Sequence, residues 1–308
     1  MKEWREIRLK EVKKSTIGGQ AVIEGVMMKN KDKYAVAVRK LSGEIEVEVS
    51  KCQSISDKVP FFRLPIIRGV VNFIESMVVG VKTLTYSASF YEDEEEEPTK
   101  MDQALDKLLK GKTEDVMMGV TVCFSMLLAI ALFMVAPYFA TRLLERFSTS
   151  ETMLVIVEGM LRIGIFLLYV ALISQMKDMK RVFMYHGAEH KTINCLEHGE
   201  ELTVENVKKY SRIHKRCGTS FLLIVMIISM IFFLFIRVDG LWARMAFRIL
   251  LVPVIAGVSY EFIKFAGKSD SKIVQILSTP GMWLQKLTTR EPEEDMIEVA
   301  IQSVESVL

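Results

Sequence analysis

The chain has 308 residues, half of them hydrophobic, and a mean hydropathy of +0.26. It is too apolar for an ordinary soluble domain of this size, so the composition predicts a membrane protein. Charged residues still make up 25% of the chain, so a substantial part must lie in water. The formal net charge of +2 indicates no particular partner. The sequence has no basic cluster with stacking aromatics, so nucleic-acid binding is not predicted. Four cysteines without CxxC spacing give no disulfide framework and suit a reducing compartment.

The N-terminal region is predicted to be cytoplasmic and to contain a small β element. The stretch Met1–Ser15 is too charged for a cleaved signal peptide, so the first span must itself direct insertion. Gly18 and Gly19 lack the flanking pattern of a phosphate loop, and we interpret the pair as a point of tight packing. Tyr34–Arg39 and Glu44–Val49 flank a Leu-Ser-Gly turn, which predicts a β-hairpin.

An interrupted apolar stretch, Leu64–Phe90, follows the hairpin. Its polar residues lie near one helical face: Arg68, Asn72, Glu75 and Lys82. Such a stripe predicts an amphipathic helix that lies in the membrane interface or packs against the spans, and a buried span is the alternative. The acidic run Glu92–Pro98 is interpreted as a solvated linker.

Four stretches are long and apolar enough to span a bilayer: Val116–Phe139, Met153–Ser174, Thr219–Ile236 and Phe247–Ala266. The second carries Glu158 and Arg162 four residues apart, a spacing that predicts a mutual ion pair on one helix face. Residues 175–218 hold nine lysines and arginines, whereas each short connector holds two. The positive-inside rule therefore predicts that this segment and both termini are cytoplasmic.

All four histidines and two of the four cysteines fall in the cytoplasmic segment that begins at Tyr185. His186 and His190 stand four apart, so on a helix both imidazoles lie on one face, as two ligands of a single metal ion do. The segment reads H-x-x-E-H, the inverted zincin order, in which the carboxylate acts as general base. This pattern gives Glu189 the candidate catalytic role.

Further ligand-type side chains follow. Glu197 is almost three helical turns from His186 and shares its face, before the helix ends near Gly199. A second helix, with Thr203 as its N-cap, is predicted to supply His214 and Cys217 at i and i+3. The pattern predicts a divalent metal site with these candidate ligands: His186, His190, His214, Glu197 and Cys217. The alternative is a purely structural cluster on a polar helix surface at the membrane edge.

The C-terminal region contains two predicted amphipathic helices. Pro280 and Gly281 predict a break, followed by a membrane-surface helix anchored by Trp283. The last residues form an apolar stripe that predicts a helix in need of a partner: Ile297, Ile301, Val304 and Leu308.

The whole pattern predicts a mainly α-helical integral membrane protein with about four transmembrane helices, a small cytoplasmic β-hairpin element and amphipathic interfacial helices. The predicted segments are residues 1–63 (cytoplasmic, with the hairpin), 64–115 (amphipathic helix and acidic linker), 116–174 (first two spans), 175–218 (cytoplasmic His/Cys-rich helical hairpin), 219–266 (last two spans) and 267–308 (interfacial and C-terminal helices).

Several long motifs carry a resemblance to a known family. They read GGQAVIEGVMM, RGVVNFIESM, YHGAEHKTINCLEHGEELT, HKRCGTSF and LTTREP. From Ile17 to about Pro292 the chain resembles the YqhQ-type bacterial membrane proteins. That family is described as a domain of unknown function and as predicted metal-dependent enzymes. The resemblance therefore implies a multi-pass bacterial membrane protein, and it carries over no substrate, cofactor or catalytic residue.

Two functions fit the sequence. The first is a metal-dependent hydrolase at the cytoplasmic membrane interface, with zinc as the default metal and Mn²⁺ or Fe²⁺ as alternatives. The second is a non-enzymatic membrane factor whose cytosolic face docks a partner, such as membrane-protein insertion or quality-control machinery. In that case the histidines hold a structural metal or join helices. An open coordination position indicates catalysis, whereas four protein ligands indicate a structural site.

Overall fold

The computed structural model describes residues 15–91, 113–144, 150–235, 240–266 and 271–308. These residues form two compact units: a larger one, up to Tyr91 and from Val170 onward, and a smaller one that ends at Tyr169. The predicted acidic linker Glu92–Pro98 and the charged stretch 1–14 lie outside the described residues.

In the larger unit the described strands form one antiparallel sheet in the order β1-β2-β3-β4. The strands are β1 (Gly18–Val22), β2 (Gly25–Asn30), β3 (Lys33–Arg39) and β4 (Ile45–Lys51). The first two turns are two residues long, and Glu24 and Lys31 there adopt positive φ angles of 49° and 54°. The β3–β4 hairpin confirms the predicted one. The predicted β element was too small, since β1 and β2 extend it to four strands.

The helices complete the architecture. In chain order they are α1 (Ile55–Lys58), a 3₁₀ turn (Pro60–Arg63), α2 (Ile67–Ala88), α3 (Thr113–Ile130), a π-helical stretch (Ala131–Val135), α4 (Ala136–Leu144), α5 (Glu151–Ile173), α6 (Lys177–Glu197), α7 (Val204–Lys208), α8 (Gly218–Phe235), α9 (Leu241–Ala266), α10 (Lys272–Thr288) and α11 (Glu294–Val307). Both predicted caps are confirmed. Gly199 follows α6 with a φ of 75°, and Thr203 Oγ1 accepts the Asn206 N–H at the start of α7.

The sheet is buried on both faces. On one face α11 and α6 pack against alternate residues of β2 and β3, including Met28 and Ala35. On the other face Val79 and Tyr86 of α2 cover residues such as Val36. Because both faces are covered, β3 reads as a continuous apolar run, whereas the edge strand β4 alternates.

The C-terminal helix finds its partner inside the molecule. The predicted apolar stripe is confirmed, since Ile297 and Val304 are fully buried between the sheet and α6. The Arg39 guanidinium lies over the start of α11, where it donates to the Asp295 carbonyl (2.8 Å) and pairs with Glu298 (2.9 Å). The last helix is therefore part of the core of this unit.

The predicted break at Pro280 is wrong, because α10 continues through it. A Cβ on Gly281 would lie 2.8 Å from the Ser220 Cβ, so the backbones of α10 and α8 approach closely there. One turn later Gln285 Nε2 donates to Ser220 Oγ (2.8 Å). These tertiary contacts hold the helix together across the proline, which lacks an N–H. Trp283 is on the exposed side of α10, as the prediction of a surface helix requires.

The smaller unit contains α3, the π-helical stretch, α4 and most of α5. Phe133 of the π-helical stretch packs edge-on against Phe166 of α5. The predicted pair on α5 is confirmed: Arg162 Nη2 donates to Glu158 Oε1 at 3.0 Å, and both side chains are buried. The pairing lets two charged groups lie in an otherwise apolar helix.

Four helical stretches of the described chain are long and apolar enough to cross a membrane: Gly119–Leu144, Glu151–Ile173, Gly218–Phe235 and Trp242–Ala266. They match the four predicted spans in number and order. The first ends five residues later than predicted and the fourth begins five residues earlier. The mainly helical fold with a small sheet is thus confirmed, and the helix α2 is not among the four.

We expect Ile297→Ala to lower the free energy of unfolding by about 2–5 kcal/mol, because it leaves a cavity between α11 and the sheet. The control is Gln302→Ala on the exposed side of the same helix, which should have little effect. Thermal unfolding of the detergent-purified variants measures both. Equal melting temperatures for the two variants would show that α11 is not part of the core.

Candidate metal centre

The candidate centre lies where α6 meets the loop before α8 and the end of α10. The predicted second helix through His214 and Cys217 is wrong, because α7 ends at Lys208 and residues 209–217 are not helical. From Ser211 to His214, side chains of neighbouring helices hydrogen-bond to the backbone of this loop. His214 N and O both bond the Gln285 amide, at 2.9 and 2.8 Å. Asn194 of α6 donates to the carbonyls of Ser211 (2.7 Å) and Ile213 (3.2 Å).

Both histidines of the H-x-x-E-H segment are oriented by backbone carbonyls. His186 Nδ1 lies 2.8 Å from the Thr288 carbonyl at the end of α10. His190 Nδ1 lies 2.6 Å from the Arg212 carbonyl in the loop. A carbonyl can only accept, so Nδ1 of each ring carries a proton, and Nε2 is the nitrogen on which each ring could bind a metal ion. This is the second hydrogen bond that metal-binding histidines usually make.

Cys217 brings a sulfur close to the Nε2 atoms of both rings. Its Sγ lies 3.3 Å from His186 Nε2, and one ligand atom each from His186, His190 and Cys217 all lie within 4.8 Å of one another. The Thr219 N–H points at the same sulfur (3.4 Å) in the first turn of α8. The start of a candidate span therefore fixes the thiol in place.

Burial sets the protonation state of the second histidine. His190 is 1% exposed, and its Nε2 has no hydrogen-bond partner among the residues that the structure describes. Burial lowers the pKa of His190 and outweighs the opposing influence of Cys217, so the ring is neutral near pH 7. A neutral, desolvated ring with a free Nε2 is suited to bind a metal ion. When no ion is bound, Nε2 is a buried polar atom without a hydrogen bond, which costs stability.

Glu189 is buried beside these ligands against strand β1. It accepts a hydrogen bond from the Gly19 N–H, while its Oε2 has no hydrogen-bond partner in the described part of the chain. Burial raises the pKa of Glu189, and the neighbouring His186 and His214 oppose that rise. A Cβ on Gly19 would lie 2.7 Å from the Met27 carbonyl and 2.9 Å from the Glu189 Cδ. The predicted tight packing at the glycine pair is therefore confirmed at Gly19.

The other two predicted ligands lie next to this group and bond to each other. Glu197 Oε2 lies 3.3 Å from His214 Nε2, and Arg216 pairs with the other carboxylate oxygen. Burial alone would raise the pKa of Glu197, but the His214 hydrogen bond and the Arg216 charge lower it overall. The His214 ring lies 5.7 Å from the His190 ring, centroid to centroid. The His214–Glu197 pair therefore packs beside the His190 ring and helps to hold it in position.

The donor set suits zinc. Two imidazole nitrogens and one thiolate are ligands that zinc accepts in tetrahedral sites, and three protein ligands leave one position for water or substrate. The ligand atoms of His186, His190 and Cys217 lie close enough together to bind one such ion. His198, the fourth histidine, bonds the Asn194 carbonyl (2.6 Å) away from the group.

Several residues of the site carry no chemical signal in the sequence. The carbonyls of Thr288 and Arg212 orient the rings, Gly19 makes room for Glu189, and Gln285 holds the loop. Thr288 and Gly19 fall inside two motifs of the family resemblance, LTTREP and GGQAVIEGVMM. Those motifs indicated that Thr288 and Gly19 lie in characteristic parts of the family sequence, but they did not predict that the two residues contact α6.

The chain matches known proteins over most of its length. A family described as protein of unknown function, DUF1385, matches residues 64–308. The chain belongs to this family. The chain is also 36% identical over 297 residues to the uncharacterized protein YqhQ of Bacillus subtilis (strain 168), a match that covers 94% of this chain and 92% of that protein. No solved structure matches the chain.

The predicted resemblance to YqhQ-type proteins is confirmed by this match. The descriptions of the family and of YqhQ name no metal and no reaction, so they do not support the description of these proteins as predicted metal-dependent enzymes.

We expect Gly19→Ala to destabilise the protein by about 1–3 kcal/mol, because the added methyl group collides with β2 and Glu189. Gly18→Ala is a matched control, since a Cβ there would meet nothing within 4 Å. Thermal unfolding and the bound-metal content of the purified variants are the measurements. Equal effects of the two changes would contradict the close contact between β1 and α6.

Proposed function

We propose that the protein is a membrane-embedded, metal-dependent hydrolase whose ion is bound by His186, His190 and Cys217. One observation carries the proposal. Two ring nitrogens and a sulfur converge within 4.8 Å, and each ring is held by a carbonyl on its other nitrogen. A bound zinc ion would lower the pKa of a coordinated water and polarise a substrate carbonyl or phosphoryl oxygen.

Glu189 is assigned the role of general base. Its Gly19 hydrogen bond holds one side of the carboxylate, while the buried Oε2 is left for a water or a substrate proton. The candidate ligands His214 and Glu197 bond each other, so we assign them to positioning His190 and not to the ion. The proposed ligand set is therefore three protein groups, which is typical of catalytic zinc.

The position of the site relative to the candidate spans also supports this function. Cys217 directly precedes α8, one of the candidate spans, and Thr288 ends the surface helix α10. The cluster thus lies at the end of a candidate span, where lipid head groups or the ends of membrane-embedded peptides would meet it. If α6 started at the membrane surface and ran perpendicular to it, helix geometry would place His186 about 13 Å above that surface. The contact with Cys217 at the start of α8 supports a position closer to the membrane.

We expect Glu189→Gln to retain the bound metal and lose function, because the amide cannot take a proton. His190→Ala should lose both. Metal content is measured by mass spectrometry of the purified protein, and function by complementation of a strain that lacks the gene. Glu205→Gln, on the exposed side of α7, is the matched control and should change neither.

The same variants define how the hydrolase proposal fails. Full complementation by Glu189→Gln with metal bound would exclude Glu189 as the base. Cobalt-loaded protein adds a direct readout of the ligands, since the thiolate charge-transfer band should be absent in Cys217→Ser. A wild-type protein that binds no zinc or cobalt would refute the metal site itself.

The burial of the cluster favours a second candidate function. His190 and Cys217 are almost fully enclosed, as in a structural site that joins α6 to the loop before α8. The protein would then be a non-enzymatic membrane factor that docks a partner. The burial of α11 removes one of the surfaces predicted to dock that partner. Retained complementation by Glu189→Gln together with its loss in His190→Ala would select this second function.

We place the sheet, the metal centre and both termini in the cytoplasm, following the distribution of basic residues. Cys195 and Cys217 are buried, so they are poor reporters of sidedness. In a Cys52→Ser/Cys123→Ser background, Ser150→Cys should react with an impermeant maleimide in intact cells. Leu41 in the β3–β4 turn is 81% exposed, and Leu41→Cys should react only after lysis. Labelling of Leu41→Cys in intact cells would reverse the orientation.

A further inference from the structure

Helix α2 is not among the four candidate spans, yet it packs along one of them. Gly69 of α2 and Gly257 of α9 lie backbone to backbone, since a Cβ on Gly69 would be 2.9 Å from the Gly257 Cα. Three residues later, Asn72 Nδ2 donates to the Tyr260 hydroxyl (2.8 Å). From the first contact to the second, the residue number rises by three in both helices, so α2 and α9 run parallel.

The turn that leads into α2 is also seated on α9. Ile66 has a φ of 70°, an unfavourable conformation for a β-branched residue that persists only when the surroundings impose it. A Cβ on Gly257 would lie 2.5 Å from the Ile66 carbonyl oxygen, so the turn fits against α9 only because residue 257 is glycine. The chain therefore reverses direction beside the middle of a candidate span.

The depth of this turn follows from helix geometry. Gly257 precedes the end of α9 at Ala266 by nine residues, which is about 14 Å along a helix axis. That is close to half of a hydrocarbon core of about 30 Å. At its other end α2 returns to the sheet, where the Ser87 hydroxyl accepts the Ile23 N–H (3.1 Å).

The charged groups of this segment have partners, as a position in lipid requires. The Arg68 guanidinium forms a two-point ion pair with Glu261 of α9. Glu75 Oε1 accepts from the Ile55 N–H (2.7 Å) and the Ser54 hydroxyl (3.0 Å). Arg63 Nε donates to the Ser56 carbonyl (3.0 Å).

Arg63 and Ser76 of this segment are exposed, and its other outward side chains are apolar. Those at least half exposed, or nearly so, are Phe61, Leu64, Ile74, Met77 and Val78. Leu250 and Val252 of α9, the helix on which this segment packs, are exposed apolar side chains too. An apolar surface beside a candidate span, and about half a bilayer deep, is one that lipid chains would cover.

We propose that residues 60–78 form a re-entrant element: the 3₁₀ turn and the first half of α2 dip into the hydrocarbon core beside α9 and return to the side that bears the sheet. The occupant of its apolar surface is the acyl chains of the bilayer. The inference rests on the proposed membrane location, and the experiment separates the two.

The test uses three leucine-to-cysteine variants in the Cys52→Ser/Cys123→Ser background, each labelled with the environment-sensitive dye NBD and reconstituted into phosphatidylcholine vesicles. Leu64 reports the re-entrant turn, Leu250 the span α9 and Leu41 the β3–β4 turn; the three are 49%, 70% and 81% exposed. Lipids brominated on the acyl chains should quench the label at Leu64 and Leu250 by similar factors. Aqueous iodide should quench only the label at Leu41.

The outcomes are distinct. Quenching at Leu250 without quenching at Leu64 would overturn the re-entrant element alone, whereas no bromolipid quenching at either would overturn the membrane location as well. A further change, Gly257→Val, should displace the turn and reduce the quenching at Leu64. Gly164→Val is its control, because a Cβ on Gly164 meets nothing within 4 Å. Unchanged Leu64 quenching in Gly257→Val would refute the seating on α9.

Discussion

Two backbone carbonyls hold the candidate centre together. Thr288 O fixes the ring of His186 and Arg212 O fixes that of His190, although the first lies 102 residues away in the chain. For these carbonyls to be in place, α10 must remain one helix across Pro280, and the loop before α8 must give up helical hydrogen bonds. Both departures from the local sequence preference therefore serve the same two hydrogen bonds. The loss of helical bonds in the loop is offset by the side chains of Gln285 and Asn194, which satisfy its backbone.

The sheet joins this centre to the proposed re-entrant element. Strand β1 contacts Glu189 through Gly19, and the next residue, Gln20, contacts Gly80 of α2. The same short strand thus lies between the carboxylate and a helix whose other half runs along a candidate span. Because packed interiors deform little, a shift of α2 relative to α6 would be transmitted to Glu189.

The sequence predicted those features that rest on composition and local periodicity. The four apolar stretches, the β3–β4 hairpin, the caps at Gly199 and Thr203, and the amphipathic tail were all predicted correctly. The pairing of His186 with His190 followed from their spacing, which the structure confirms as one face of α6. The errors came from contacts distant in sequence. A helical pattern through His214 gave way to hydrogen bonds from α6 and α10, and Pro280 stayed helical because α8 packs on it.

The position of α11 has a consequence for biosynthesis. Chains emerge from the ribosome N-terminus first, so the sheet strands are made long before α11, the last helix of the chain, which covers one of their faces. Until α11 is made, the face of β2 and β3 that it covers remains bare and apolar, and until α6 is made Gly19 has no Glu189 to contact. The centre itself needs Thr288, which follows all four candidate spans. The proposed metal site could therefore be completed only after the residues of all four candidate spans have been made.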